Sequence, residues 1–477
     1  FVVVKRTITI GIFAALAILM GGGVFWLWLN SKRIEPTEAL RAIPIDAGLV
    51  VRVQGLKGLN SQLRDGNQLW SGLIGFRNIA RADSILHFAD SLSKANQSFA
   101  RLMNDNPIFI SVHAVGKGEP VPLLITNTSE RVRVSDILEI INSLTVGNRR
   151  VQQHEFNNVT IHYIGKAGSE QESELFFALH RGVAIFGPSL LLIESAIGQL
   201  DSNISLMNDK NFTEILRTAG TRVDANIFIN HQRLPIVLSQ QIQSNHRSGF
   251  ESLTSLADWT ELDLTIRNEA LWLNGFSQTH DTLNTFYQVF ASQKPVPLGA
   301  HNVLPAQTSA VFFVGISNFD AYMRSYSRYL EAKGKLREYE RNTNQLGTKL
   351  GVNLTQFYKS FFDSELALAY IPFDDTEYSN CWFVVVNTKG QSHSKAIMLD
   401  AISNYSKRNH VPMSTFENTF RVDRDKSVEI YRMPEAGIHR TLFGNLFTEV
   451  NDQYFTFIDS YVVFGSSIEG LSRLILA

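Results

Sequence analysis

The sequence predicts an α+β protein in which an N-terminal transmembrane helix precedes two tandem homologous modules, each an antiparallel sheet packed with helices. Three observations predict it. Short apolar segments recur in the same order in both halves of the chain. Neighbouring strand-like segments are joined by short turns, not by crossover helices, which suits antiparallel hairpins and argues against a doubly wound parallel sheet. One long uncharged stretch lies near the start.

The repeat has three parts. Leu123 to Thr128 recurs 260 positions later as Phe383 to Thr388. Ile43-Pro44 with the apolar run Leu49 to Val53 recurs as Leu304-Pro305 with the run Ala310 to Val314. Ile185 to Ser189 recurs as Val463 to Ser467. Three matches in one order read as tandem duplication. No catalytic residue type repeats with them, so the pattern speaks for architecture and names no reaction.

The chain has 477 residues, enough for two or three domains at roughly 100–200 residues each. Its net charge of −1 carries no basic stripe, which argues against nucleic acid. The single cysteine, Cys381, excludes an internal disulfide and a cysteine-based zinc site, and its apolar neighbours make it a small core residue. The first residue is Phe1, and the second module stops in the helix matching Leu190 to Leu200, so the natural chain is expected to extend beyond both ends, past Ala477 by at least the rest of the repeat.

Residues 1–33 form the expected membrane anchor. Thr7 to Leu29 is 23 residues without charge, and about 20 apolar residues span a bilayer core. Lys5, Arg6, Lys32 and Arg33 flank it, and Trp26 and Trp28 sit at its far edge as interface anchors. No small-residue cleavage site precedes Ser31, so a cleaved signal peptide fits less well. Gly21, Gly22 and Gly23 allow another helix to approach closely. The short basic tail favours an N-terminus in the cytoplasm and an exported domain.

Residues 34–40 read as a polar linker and 41–235 as the first module. Its strands are expected at Leu49 to Val53, Ile108 to Val112, Leu123 to Thr126, Val159 to Ile164, Leu175 to Leu179, Val183 to Phe186 and Ala225 to Ile229. Apolar spacing predicts helix from Leu56 to about Met103, from Ser135 and from Ser189. Residues 236–299 supply connecting strands, Leu262 to Ile266 and Leu271 to Phe276. The second module, 300–477, repeats the order. Phe319 to Phe362 is mostly helical, and Leu366 to Ile371, Phe383 to Val386, Val428 to Met433, Phe455 to Ile458 and Val462 to Phe464 are strands. Ile397 to Tyr405 and the segment from Ser467 are helical.

Motifs for chemistry are weak. Gly347 to Gly351 lacks the spacing of a phosphate loop. His154 and His162 are expected to lie near one another across a turn, but two histidines without a third ligand make a poor metal site and read as surface polarity. Ser189 and Ser467 follow matched glycine turns outside any G-x-S-x-G context, so helix capping explains them. Asp374, Asp375 and Glu377 form an acidic hairpin tip. Arg149-Arg150 and Lys407-Arg408 follow matched helices and suit helix C-termini. Asn158 and Asn353 begin glycosylation triplets that matter only in a eukaryotic secretory protein. Ser84, Ser91 and Thr282 lie in Asp-Ser/Thr-aliphatic triplets and are candidate O-glycosylation positions. No catalytic, cofactor-binding or metal-binding residue is assigned, and no cofactor is expected.

The soluble part resembles a bacterial envelope family known chiefly as a domain of unknown function. The resemblance rests on the Pro44-led strand, the Phe186-Gly187-Pro188-Ser189 turn with its following helix, and Asn211-Phe212 leading towards the Ala225 strand. It implies an N-terminal membrane segment with duplicated α+β modules and transfers no catalytic residues. The expected function is therefore that of a single-pass protein of the bacterial inner membrane, with its soluble part in the periplasm. It would be a binding or scaffold protein, an accessory subunit of an export, folding or assembly complex, with other envelope proteins as partners. The alternative is a carrier of lipid or lipoprotein with an apolar cavity, since both modules are rich in phenylalanine; an enzyme is the least favoured class.

Overall fold

The computed structural model describes residues 37–116, 120–128, 135–139, 149–166, 175–202, 204–238, 252–279, 285–374 and 377–477. The expected anchor, with Gly21, Gly22, Gly23, Trp26 and Trp28, lies outside the described residues, as does Thr282. Among the described residues no helix is long and apolar enough to cross a membrane. The chain divides into two compact units between Thr279 and His280.

The first unit is built on a ten-stranded sheet. Its strands are β1 (Leu49–Val53), β2 (Ile108–Ala114), β3 (Pro120–Asn127), β4 (Arg149–Phe156), β5 (Val159–Lys166), β6 (Leu175–His180), β7 (Val183–Gly187), β8 (Ala225–Asn230), β9 (Trp259–Ile266) and β10 (Leu271–Ser277). They run in the order β10-β9-β8-β1-β2-β3-β7-β6-β5-β4. Their pairings are antiparallel. Helices α1 (Glu38–Arg41), α2 (Leu56–Arg64), α3 (Gln68–Leu73), α4 (Arg77–Ala95), α5 (Gln97–Asn104), α6 (Leu190–Asp201), α7 (Lys210–Leu216) and α8 (Leu234–Leu238) complete it.

Alternation along the strands sends apolar side chains to both faces of this sheet. On β7, Val183 and Ile185 join a cluster with Val50, Phe109 and Leu123, covered by Leu192, Ile193 and Ile197 of α6. Ala184 and Phe186 point the other way, into a cluster with Phe177 that Leu56, Ala89, Leu102 and Met103 cover. The interior strands are therefore nearly continuous apolar runs.

Several expectations need correction here. The single helical stretch from Leu56 to Met103 is four helices, interrupted at Asp65–Asn67, Ile74–Phe76 and Asn96. The side chains of Asn67 and Asn96 accept hydrogen bonds from Trp70 N and Phe99 N and so start new helices. The strands expected as a connection between modules, β9 and β10, belong to the first sheet. Arg149 and Arg150 do not end a helix; they open β4, an edge strand.

The second unit has a seven-stranded sheet. It consists of β11 (Ala310–Gly315), β12 (Phe362–Tyr370), β13 (Trp382–Thr388), β14 (Glu417–Arg421), β15 (Ser427–Arg432), β16 (Tyr454–Ile458) and β17 (Tyr461–Gly465), in the order β11-β12-β13-β17-β16-β15-β14. Helices α9 (Phe319–Ala332), α10 (Leu336–Leu350), α11 (Leu354–Phe361), α12 (Gln391–Asn409) and α13 (Ile438–Phe443) follow in chain order, and α14 (Ile468–Leu476) closes the unit. One face packs Val384, Val386 and Phe464 against Tyr322, Tyr358, Phe361 and Met398. The other packs Val385 and Val463 against Leu471 and Leu474 of α14.

The two sheets share a plan. Strands β1-β2-β3-β7-β6-β5-β4 and β11-β12-β13-β17-β16-β15-β14 take the same order in space and in sequence. Register agrees as well: Ile125 faces Ile185 where Val385 faces Val463, and Phe177 faces Phe186 where Phe455 faces Phe464. Matching turns carry left-handed residues, Arg181 and Gly182 in one unit and Asp459 in the other. The difference is at one edge, where β8, β9 and β10 extend the first sheet beyond β1 and β11 has no such extension among the described residues.

Candidate functional site

The residues singled out by sequence do not converge. His154 Nε2 lies 3.2 Å from Glu194 Oε1. His162, one step out of register and so on the opposite face of the sheet, is buried and stacks on Phe177 at 4.8 Å between ring centroids. Burial holds the His162 imidazole below its usual value, against the opposing pull of Glu155. Surface polarity is therefore the wrong reading for His162. The two matched serines also differ. Ser467 Oγ accepts from Gly470 N at 3.0 Å, a helix cap, whereas Ser189 starts its helix without a side-chain cap bond.

Cys381 is buried, as a core residue should be. Ser84 and Ser91 are exposed on α4, and Ser84 Oγ donates to Ala80 O within the same helix at 2.9 Å. Lys407 and Arg408 occupy the last turn of α12, and Arg408 donates to the carbonyl of Lys349. Arg473 Nη1 reaches the Asp374 carbonyl in the acidic loop at 2.9 Å.

Three buried polar networks that sequence reading missed are the chemically notable places. The first crosses three strands of the first sheet. Register places Arg52, Asn226 and Asp263 side by side on β1, β8 and β9. Arg52 Nη1 donates to Asn226 Oδ1 at 2.9 Å, and Asn226 Nδ2 donates to Asp263 Oδ1 at 2.6 Å. The Gly220 N–H closes over Asp263 at 2.9 Å. Glu261, two residues along the same face, is 0% exposed with neither carboxylate oxygen in a hydrogen bond. Burial first, and then the neighbouring Asp263, push the Glu261 carboxyl up to about 8. Glu261 is therefore protonated at neutral pH. Burial also lowers the Arg52 guanidinium from its ordinary value.

The second network caps a turn. Glu365 on β12 accepts from Gly299 N at 2.8 Å, from Ala300 N at 3.1 Å and from Tyr461 OH at 3.1 Å. Burial, followed by the charge of Glu365, pushes the Tyr461 phenol up to about 12. The third joins His439 and Asp452, each 1% exposed at the side chain, with His439 Nδ1 2.6 Å from Asp452 Oδ2. Asp452 also accepts from the backbone N–H groups of Gly437, Ile438 and His439, the start of α13. Tyr358 and Phe464 wall the ring, and His439 Nε2 meets no hydrogen-bond partner.

An aspartate–histidine pair of this kind is the orienting half of a nucleophile relay. Here the free ring nitrogen faces aromatic core, and no serine or cysteine hydroxyl or thiol is hydrogen-bonded to it. Open hollows occur elsewhere. One of about 610 Å³ is lined by Tyr326, Tyr339, Lys349, Glu435 and Arg440, and Lys349 pairs with Glu435 across 3.6 Å. Another of about 720 Å³ lies beside Gln54, Lys57, Arg101 and Asn104. Neither exposes the three buried networks. Among the described residues, no group of three or more His, Cys, Asp or Glu is placed to hold a metal ion.

Fold and site together define an α+β protein of two antiparallel sheets. The chain belongs to the family described as Protein of unknown function (DUF3352), whose model matches residues 110–475. No curated protein matches the chain, and no solved structure matches it.

Proposed function

We propose that this chain is a single-pass, membrane-anchored binding or scaffold protein whose soluble part lies outside the cytoplasm, an accessory subunit of an envelope export, folding or assembly complex. We also infer that its two units are tandem copies of one module. The shared strand order and register support the second point. The uncharged stretch Thr7 to Leu29 supports the anchor.

The observation that carries the binding reading is β10. This edge strand leaves Trp272, Leu273 and Phe276 more than half exposed or close to it, without a charged residue along its length. Exposed apolar side chains on an unpaired edge suit a protein partner. The phenylalanines that motivated the lipid-carrier alternative pack in filled clusters, Phe212 with Phe228 and Phe319 with Phe362. They leave that alternative without a supporting observation.

The test is purification of the full chain from native membranes in mild detergent, with crosslinking and identification of what accompanies it. Stoichiometric recovery of envelope proteins, lost in a Trp272→Glu variant, is the expected result. Recovery of the chain with bound lipid and no protein would overturn the proposal in favour of the carrier.

A further inference from the structure

We propose that the groove between α10 and α13 of the second unit is a binding site for an extended peptide segment that carries a carboxylate. The groove is the hollow of about 610 Å³, and one unit alone supplies its walls. One wall is a stripe of α10. Glu338, Asn342, Gln345 and Lys349 follow one another at intervals of four, three and four residues, which is one face of a helix. At 1.5 Å per residue the stripe runs for about 16 Å. The other wall is the segment from Glu435 to Asn445, with α13 at its centre. Lys349 and Glu435 meet across 3.6 Å and tie the walls together.

The floor shows that a ligand is wanted. Tyr326 is 6% exposed, and its ring is enclosed by Phe286, Tyr322, Tyr329 and Tyr339. Its hydroxyl makes no hydrogen bond among the described residues. Gly444, with a φ of +88°, lies over that hydroxyl, and a Cβ there would come within 3.0 Å of it. A glycine at this place leaves the hydroxyl open to the groove. Burial first, and then Tyr339 and Tyr329, push the Tyr326 phenol above its ordinary value, so it keeps its proton and can donate. An enclosed donor without an acceptor is costly, and a ligand oxygen relieves that cost.

Charge and shape select the occupant. The lining carries Lys335, Lys349 and Arg440 against Glu338 and Glu435, a surplus of one positive charge. Lys349 is engaged by Glu435, whereas Arg440 is exposed and forms no ion pair among the described residues. Gly444 N donates to Arg440 O at 3.0 Å, so the guanidinium and the Tyr326 hydroxyl serve the same end of the groove. A single carboxylate matches this balance, and a multiply charged phosphate does not. The carboxamides of Asn342, Gln345 and Asn445 each offer a donor and an acceptor, the combination a peptide group requires. Leu330 and Leu346 add apolar contact. A sugar ring needs an aromatic face, but Tyr322 and Tyr329 are stacked on Tyr326 at 11° and 19°, which leaves its hydroxyl and not its face to the groove. The site is separate from β10, and the two are decided independently.

The experiment pans a phage-displayed library of random dodecapeptides against the full chain in phosphatidylcholine nanodiscs. Enriched peptides are synthesised, and their binding is measured for wild type, Arg440→Gln, Tyr326→Phe and Trp272→Glu. The enriched sequences should share an acidic residue. Arg440→Gln should weaken their binding at least about tenfold and Tyr326→Phe about fivefold. Replacing the acidic residue of the peptide by its amide should remove the difference between wild type and Arg440→Gln. No enrichment overturns the proposal, as do enriched peptides without an acidic residue. Peptides that bind Arg440→Gln as tightly as wild type overturn it too; if Trp272→Glu abolishes their binding, they sit on β10. Binding of chitohexaose in place of any peptide, lost in Arg440→Gln, would overturn it in favour of a glycan. Should Tyr326→Phe fail to fold, the exposed Arg440 decides alone.

Discussion

His439 meets Asp452 twice, through its ring Nδ1 at 2.6 Å and through its backbone N–H at 2.8 Å, with both side chains sealed from solvent. One carboxylate thus fixes the start of α13 and the orientation of an imidazole. Burial pushes the Asp452 carboxyl up, but the hydrogen bond and charge of His439, with the backbone N–H groups, outweigh it and hold the carboxyl below its ordinary value of 3.8. A depressed carboxyl stabilises the fold above its unfolded value, and that contribution is lost as pH falls through the lower folded value. Asp452→Ala should destabilise the second unit by about 3–5 kcal/mol, because it leaves the buried ring and three N–H groups without an acceptor. Amide exchange over residues 427–465 as a function of denaturant checks it; a loss under about 1 kcal/mol would mean the pair contributes little.

Glu261 behaves oppositely. Its carboxyl is raised from 4.5 to about 8, so the folded first unit keeps a proton that the unfolded chain releases. The stabilisation is complete below the unfolded value and is lost as pH rises through the folded one. The first unit should therefore lose stability progressively from about pH 5 to about pH 8, by an amount on the order of a few kcal/mol, and melt at a correspondingly lower temperature. Glu261→Gln, which keeps the shape and removes the titration, should flatten that profile and melt above wild type at alkaline pH. Parallel slopes for the two proteins would assign the pH dependence to other groups.

The two matched serines give a controlled comparison. Ser467→Ala removes an oxygen that accepts from Gly470 N, and should cost about 1 kcal/mol. Ser189→Ala removes no cap bond and should cost a few tenths at most. Equal losses from the two substitutions, measured by melting, would show that the turn and not the cap sets the helix start.

Much of the architecture was legible because interior strands are apolar on both faces, so Leu123 to Thr126 and Phe383 to Val386 stand out wherever they occur. The turns were legible because Gly182 and Asp459 suit the left-handed backbone that both adopt. β4 and β14 were not, because an edge strand such as Arg149–Phe156 carries the charges of a loop. The breaks between α2 and α5 were hidden because apolar spacing continues across Asn67 and Asn96, which act through single side-chain oxygens. The polar row was hidden for a different reason. Glu261 and Asp263 alternate with Leu262 and Leu264 as on a half-exposed strand, and their burial depends on tertiary closure, with Gly220 distant in sequence. His439 and Asp452, likewise, form no motif; the turn between α13 and β16 brings them together.

Gly275 is the position where backbone geometry decides most. It faces Leu262 across the β9–β10 ladder, and a Cβ built there would lie 1.7 Å from the carbonyl oxygen of Glu261. The obstacle is backbone, so no rotamer change relieves it. Gly275→Ala must push β10 away from β9, and overpacking of this kind costs about 1–3 kcal/mol. Because β10 is an edge strand, the loss should stay local: exchange over Leu271–Ser277 should speed up while Leu49–Val53 keeps its protection. The same displacement would move Trp272 and Phe276, the exposed residues on which the partner reading rests. Gly275→Ala should therefore weaken partner recovery from native membranes as Trp272→Glu does, without unfolding the rest of the first unit. Uniformly faster exchange across β1 and β2 would instead show that β10 holds the whole sheet together.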